Sequence, residues 1–423
     1  METKGTVRPF FALGYSYVVF NFLHYMLFSL YQVLGVSTIC ALFAANTGIP
    51  FTDILSVNTY GTLALCVGIF AIAPLAKKIK LNRIFCVGFI ILCITSFMWG
   101  HCMTIGAYTL LVIIQGFGLA CIVQIGGNGL IANWFPRTRG TVFGITTIGV
   151  FAVSFIIVPI IKASVAARGF TGTMDLFAVF YLILGIVCLF WIKETPALVN
   201  MLPDNRPMEA DAQKTVQSDG SYWTVKQLIC SKTGIVYILL FGVLNLCNRG
   251  CGVISSSLIT EFGYGDSVAK ITMALAATAC LGSFVLGVID SKKGTKFATS
   301  VFSILFTIAM LCCFFLGRTN SKIGLAMWFL MYFGAGALAN LMVSTLVNLY
   351  GAVHFNYANR YLTSLVNAIV ALAYIIVAKI IAGFGGVTYS VLFFGALSIV
   401  PLILSFVIPD KYIPAPNKKE EAL

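Results

Sequence analysis

Twelve apolar runs follow one another along the chain, each close to the ~20 residues a helix needs to cross a bilayer. They cover roughly 11–38, 54–76, 83–103, 106–132, 140–163, 174–192, 233–260, 268–290, 297–317, 323–350, 360–384 and 387–409. Each run is far longer than the about 9–11 residues of a transmembrane barrel strand and lacks strict alternation, which selects helices. Only 10% of the 423 residues are charged and 59% are hydrophobic, with a mean hydropathy of +0.97. A soluble surface needs about a quarter of its residues charged. Soluble enzymes, nucleic-acid binders and secreted disulfide scaffolds are therefore excluded. The chain reads as an all-α polytopic membrane protein with the lipid bilayer as its main partner.

The Lys and Arg residues set an orientation. With the N-terminus inside, short cytoplasmic segments carry Lys4, Arg8, Lys77, Lys78, Lys80, Arg83, Arg137, Arg139, Lys292, Lys293, Lys296, Arg360, Lys411, Lys418 and Lys419. The opposite loops carry Lys162, Arg168, Lys270, Arg318 and Lys322. This three-to-one bias predicts cytoplasmic termini and a place in the plasma membrane. The first run is too long for a signal h-region and lacks a small-residue cleavage site, so no cleavable leader is expected.

Residues 193–232 form the long polar stretch, with Pro203, Asp204, Pro207, Glu209, Asp211 and Asp219. They read as a cytoplasmic linker, and Tyr222–Lys232 as a short amphipathic helix. The expected organisation is a six-helix bundle over 1–192, the linker over 193–232, a second bundle over 233–410 and a cytoplasmic tail over 411–423. A faint internal repeat supports it. The cationic turns after Ala73 and after Gly287 lie 214 residues apart, and Asn133-Trp134-Phe135 and Asn348-Leu349-Tyr350 lie 215 apart. Duplicated halves are a transporter signature.

At these residues the chain resembles the major facilitator superfamily over essentially its whole length. Gly287, Ile289, Asp290, Lys292, Gly294 and Lys296 keep most of the family's G-x-L-A-D-R-x-G-R-R turn, with the acid shifted by one position. The first-half copy keeps Leu75, Ala76, Lys77 and Lys78 and lacks the glycines and the aspartate. In span 4, Gln115, Gly116 and Gly118 match R-x-x-Q-G-x-G, while Val112 stands at the arginine tied to coupling in proton-linked members. Trp134-Phe135-Pro136-Arg137-Thr138-Arg139-Gly140, with Leu349-Tyr350-Gly351, looks like the oxalate/formate antiporter family and its monocarboxylate-transporter relatives. The resemblance implies twelve helices in two pseudo-symmetric six-helix bundles, with helices 1, 4, 7 and 10 lining a cavity. It also implies basic substrate residues on helices 8 and 11. Lys379 matches the helix 11 residue in kind; span 8 offers only Lys270 at its mouth, so Arg249 on span 7 would take the second role.

Charged residues inside a bilayer cost at least ~2.5–3.5 kcal/mol each and need a reason. Arg249 and Lys379 are the cations within spans, and no Asp or Glu lies inside one. Arg249 sits ~24 Å along span 7 from its start near Thr233. Unpaired buried cations invite an anion, and the simplest visitor is a substrate. The alternative for both is snorkelling to the interface. Asn245 and Asn248 lie beside Arg249, and Gly250 and Gly252 suggest a helix loosened there. Asn21, His24, Tyr25 and Gln32 share one face of span 1. Gln124 and Asn128 on span 4, Tyr332 and Asn340 on span 10, and Asn367 and Tyr374 on span 11 complete the candidate substrate site, each also readable as interhelical glue. His24 is suited to titrate near neutral pH and to replace the missing carboxylate in proton coupling, or to serve as a hydrogen-bonded histidine between helices.

The expected function is a monomeric secondary transporter of a small mono- or dicarboxylate, alternating access by rocking of two halves, by antiport or linked to protons. An exporter of drugs or amphipathic compounds is the alternative, suggested by 13% aromatic residues. No P-loop, paired carboxylates or metal cluster is present, so neither enzymatic chemistry nor a cofactor is expected. The 13 cysteines read as small buried hydrophobes; Cys247 and Cys251, four apart on a helix, are the pair suited to a soft ion.

Overall fold

A computed structural model describes residues 11–75, 78–136, 138–206 and 221–418. These are almost entirely helical. Among them ten helices are long and apolar enough to cross a membrane, or eleven if Ala12–Gln32 and Val36–Thr47, bent by 50°, are one span. The run Val142–Trp191 has 50 residues, about 75 Å of helix against ~30 Å of hydrocarbon. It breaks at Gly169, where φ is 75°, a value that glycine adopts without a Cβ clash. Counting its two parts separately yields the twelve spans expected. Helices 321–335 and 338–384 divide in the same way at Gly351, φ 68°, into spans Ser321–Gly351 and Tyr357–Phe384. Large apolar side chains such as Phe190, Leu281 and Phe284 face outward at 72%, 63% and 73% exposure. Only hydrocarbon makes such a surface favourable.

The helices pack as two compact units. The first comprises Met1–Arg206, Arg249–Ala276 and Ala371–Ser390; the second comprises Pro207–Asn248, Ala277–Val370 and Val391–Leu423. The later parts of spans 7 and 11 and the first parts of spans 8 and 12 thus fall in the unit that holds spans 1–6.

Within the first unit, spans 2 and 4 cross at backbone contact. A Cβ on Gly116 would lie 2.3 Å from the Gly61 carbonyl oxygen, and one on Gly118 would lie 2.8 Å from Ile91 Cγ2. The glycines of the Q-G-x-G pattern thus let neighbouring helices approach. The Trp-Phe-Pro segment anchors the start of the linker. Trp134 Nε1 donates to the Lys193 carbonyl at 2.8 Å and Asn133 to that of Glu194 at 3.1 Å. Tyr17 donates to the Trp191 carbonyl and accepts from the Lys193 N–H, and its ring packs edge-on against Trp134 and Trp191.

The second unit repeats the helix crossing between spans 8 and 10. There a Cβ on Gly336 would lie 1.8 Å from the Ala279 carbonyl oxygen, and one on Gly282 would lie 1.6 Å from that of Phe333. Its cationic turn is stitched by Thr295 donating to Asp290 Oδ1 at 2.5 Å and by Asn348 donating to Thr295 at 2.6 Å. The short helix expected near 222–232 is present as Val225–Cys230, begun by a Thr224–Gln227 capping box. Just before it, Ser221–Tyr222 pairs antiparallel with Asn417–Lys418, tying the linker's end to the tail. Ile413 N–H donates to the Leu349 carbonyl, and Trp223 packs edge-on against Tyr350. The end of span 10 therefore holds the segment after span 12, as the end of span 4 holds the segment after span 6.

Candidate functional site: a buried arginine beside a broken helix

Span 7, Lys232–Glu261, carries Arg249 into the first unit with 8% of its surface exposed. The guanidinium has five N–H donors. Its Nη1 donates to the Tyr374 hydroxyl at 2.9 Å, and its carbon lies 6.0 Å from the centroid of the Phe28 ring. Tyr374 in turn donates to the backbone carbonyl of Gln32 at 2.6 Å. Gln32 is the last residue of Ala12–Gln32, so the bend that follows frees its carbonyl from helical pairing. Its side chain is held separately, by Thr62 donating to Oε1 at 2.6 Å. Spans 1, 2, 7 and 11 thus converge on Gln32, whose carbonyl accepts from Tyr374, and on one cation bound to neutral groups. Among the described residues no carboxylate forms an ion pair with Arg249.

A second polar group lies on the same face of span 1, closer to its start. Asn21 donates to Thr146 at 3.0 Å, and Tyr25 donates to Asn128 Oδ1 at 3.1 Å. His24 is fully buried against Phe20, Phe85 and Phe89. Among the described residues neither of its ring nitrogens, nor Asn21 Oδ1, has a hydrogen-bond partner. Span 4 meets this group through a π-helical segment, Ala120–Gly127, between two α-helical ones. A Cβ on Gly127 would lie 2.5 Å from Asn21 Oδ1 and 3.0 Å from His24 Nδ1. Such π-bulges recur at functional sites because they turn side chains without ending a helix.

Lys379 is exposed on its helix, whereas Arg249 is buried. Lys379 lies five residues beyond Tyr374, about 140° around the helix, so one helix cannot aim both at the same point. The loosening expected at Gly250 and Gly252 is corrected, since Lys232–Glu261 runs unbroken. The break is in span 1 instead. Asn245 donates to the Phe241 carbonyl and to Met342 Sδ, and Asn340 donates to Ser283, all within the second unit. Tyr332 is buried there, and Asn248 and Asn367 are half-buried. The Gln124 side chain lies outside the described residues, as does Arg137. Cys247 and Cys251 are buried, and no group of three metal-ligating side chains occurs among the described residues. Thr62, Phe28 and Thr146 were not anticipated. They are ordinary residues in an apolar run, and only the fold brings them to the site.

Residues 16–375 match the Major Facilitator Superfamily model. The chain belongs to that superfamily. It is 25% identical over 299 residues to the uncharacterized MFS-type transporter YcxA of Bacillus subtilis (strain 168), covering 70% of this chain and 68% of that one. Its fold is similar to the crystal structure of the nucleoside transporter NupG, with a TM-score of 0.67 and 13% identity over 94% of this chain and 99% of the other. This facilitator is accordingly a multi-pass membrane transporter of a small molecule. The site's elements, a bent span 1 and a π-bulged span 4, are discontinuities of the kind that transporter helices use where they line a cavity.

Proposed function

We propose that this facilitator is a secondary active transporter of small organic anions, with Arg249 as the residue that holds the anionic group. The supporting observation is that Arg249 is buried yet hydrogen-bonded to a phenol and placed over a ring, with no carboxylate on it among the described residues. A buried cation left with neutral partners is costly, and an anion that visits it is strongly held. Asn21, His24, Tyr25, Gln32, Asn128 and Tyr374 are the polar groups that shape this unit's part of the site. In this reading Asn245, Asn248, Tyr332, Asn340 and Asn367 belong to the substrate pathway of the second unit, with Gln124 joining that of the first. Lys379 serves as an interfacial anchor. The two bundles alternate access across the plasma membrane, with cytoplasmic termini, driven by a counter-anion or by protons. The Trp134–Gly140 pattern supports carboxylates as the anion class.

The test is a panel of ligands against the purified protein, read as a shift in melting temperature, because a ligand that binds only the native state stabilises it. Mono- and dicarboxylates are expected to raise the melting temperature, and to do so less in Arg249→Gln. The panel includes nucleosides and cationic amphipaths. Stabilisation by either of these and by no carboxylate would replace the anion reading.

A further inference from the structure

Tyr374 makes two hydrogen bonds of opposite sense. Its oxygen accepts from Arg249 Nη1 at 2.9 Å while its proton goes to the Gln32 carbonyl at 2.6 Å. The first bond gives a cation a neutral partner; the second caps a carbonyl that the bend in span 1 has stripped of its helical donor. Gly35 fixes that bend, since a Cβ there would lie 2.6 Å from Leu30 Cα. The bare carbonyl is therefore a built feature of the helix.

We propose that Tyr374 is an internal stand-in for the substrate, and that the ligand displacing it is a hydroxylated organic anion. This rests on the reading of Arg249 as the anion holder and adds what the rest of the ligand must offer. An anionic oxygen takes the place of the phenol oxygen on Arg249 and makes a charge-assisted bond, roughly twice as strong as a neutral one. A bare carboxylate has no proton to give, so by moving Tyr374 aside it would leave the Gln32 carbonyl buried and unpaired. A ligand with a hydroxyl beside its carboxylate supplies that proton. The two protein atoms are separated by a single phenol oxygen, a gap that adjacent carboxylate and hydroxyl groups bridge. Thr62 donates to Gln32 Oε1, which holds that side chain on span 2.

The experiment compares matched pairs, glycolate with acetate and malate with succinate, by titration calorimetry on the full-length purified protein. In the wild type the hydroxylated member is expected to bind roughly tenfold tighter, the effect of one hydrogen bond whose loss leaves a buried acceptor bare. Tyr374→Phe removes the internal competitor. Both members of each pair should then bind tighter, by roughly fivefold for one ordinary hydrogen bond no longer displaced, and the preference for the hydroxylated member should persist. Equal affinity within both pairs in the wild type overturns the proposal, and so does weaker anion binding by Tyr374→Phe, which would make Tyr374 a direct substrate ligand. If Tyr374→Phe does not fold, the wild-type pairs decide alone. Anion binding that is unchanged in Arg249→Gln is a separate outcome: it removes the anion reading itself, and this inference with it.

Discussion

Arg249 and Lys379 carry the same charge within two apolar stretches, yet their surroundings differ completely. Arg249 is buried and bonded to Tyr374, whereas Lys379, five residues past that tyrosine, is exposed. The sequence shows that both cations exist and that no acid lies inside the apolar runs 233–260 and 360–384 that carry them. It does not show which way each points, because that direction is set by partners on other helices, Tyr374 and Gln32 among them. His24 poses the opposite question. Its imidazole is packed among Phe20, Phe85 and Phe89 with both nitrogens unpartnered among the described residues, at a cost of about 1–3 kcal/mol for each unsatisfied buried group. Packing alone would favour phenylalanine there. His24→Phe is therefore expected to melt no lower than the wild type while uptake into proteoliposomes falls at least about tenfold, the value of one lost hydrogen bond in a buried site. A lower melting temperature with normal uptake would make His24 a structural residue.

At the scale of elements, glycine has opposite consequences in different places. Gly250 and Gly252 cost span 7 about 1 kcal/mol each relative to alanine, too little to break a helix whose neighbours are buried on both sides. Gly35 accompanies a real bend, because Leu30 leaves no room for a side chain. Local sequence does not distinguish these cases; the packed neighbour does. The Q-G-x-G and Trp-Phe-Pro patterns were legible as family marks, and their physical roles came only with the fold. Gly116 and Gly118 are sites of helix contact, and Trp134 anchors the linker. The π-segment of span 4 carried no signal that periodicity could reveal, since residues 106–132 are apolar almost all round and offer no polar face to be shifted. Gly336→Val tests the crossing of spans 8 and 10. Its added carbons would run into the Ala279 backbone, where no rotamer relieves the clash. The expected loss is about 3 kcal/mol, read as a lower melting temperature, whereas the same change at Gly383, which has open space around its Cβ position, should be mild. Equal melting temperatures for the two variants would contradict the crossing.

For the whole molecule, the twelve spans and the repeat were readable because the bilayer imposes length and polarity on every segment. The way the chain divides into packing units was not. Spans 7 and 11 each contribute to both units, and such sharing depends on helix tilt and on contacts hundreds of residues apart. The same sharing brings Arg249 to the bend of span 1. The claim that this arginine holds the substrate's negative charge is tested by equilibrium binding of a stabilising organic anion to four purified proteins. Against the wild type, Arg249→Gln should lose about 30-fold in affinity or more, equivalent to ~2 kcal/mol for an unpaired partner of a buried charge pair. Arg249→Lys should recover little of it, since an ammonium lacks the planar fork, and Lys379→Gln should bind as the wild type does. Near-native affinity in Arg249→Gln, with the loss appearing in Lys379→Gln instead, would contradict the claim.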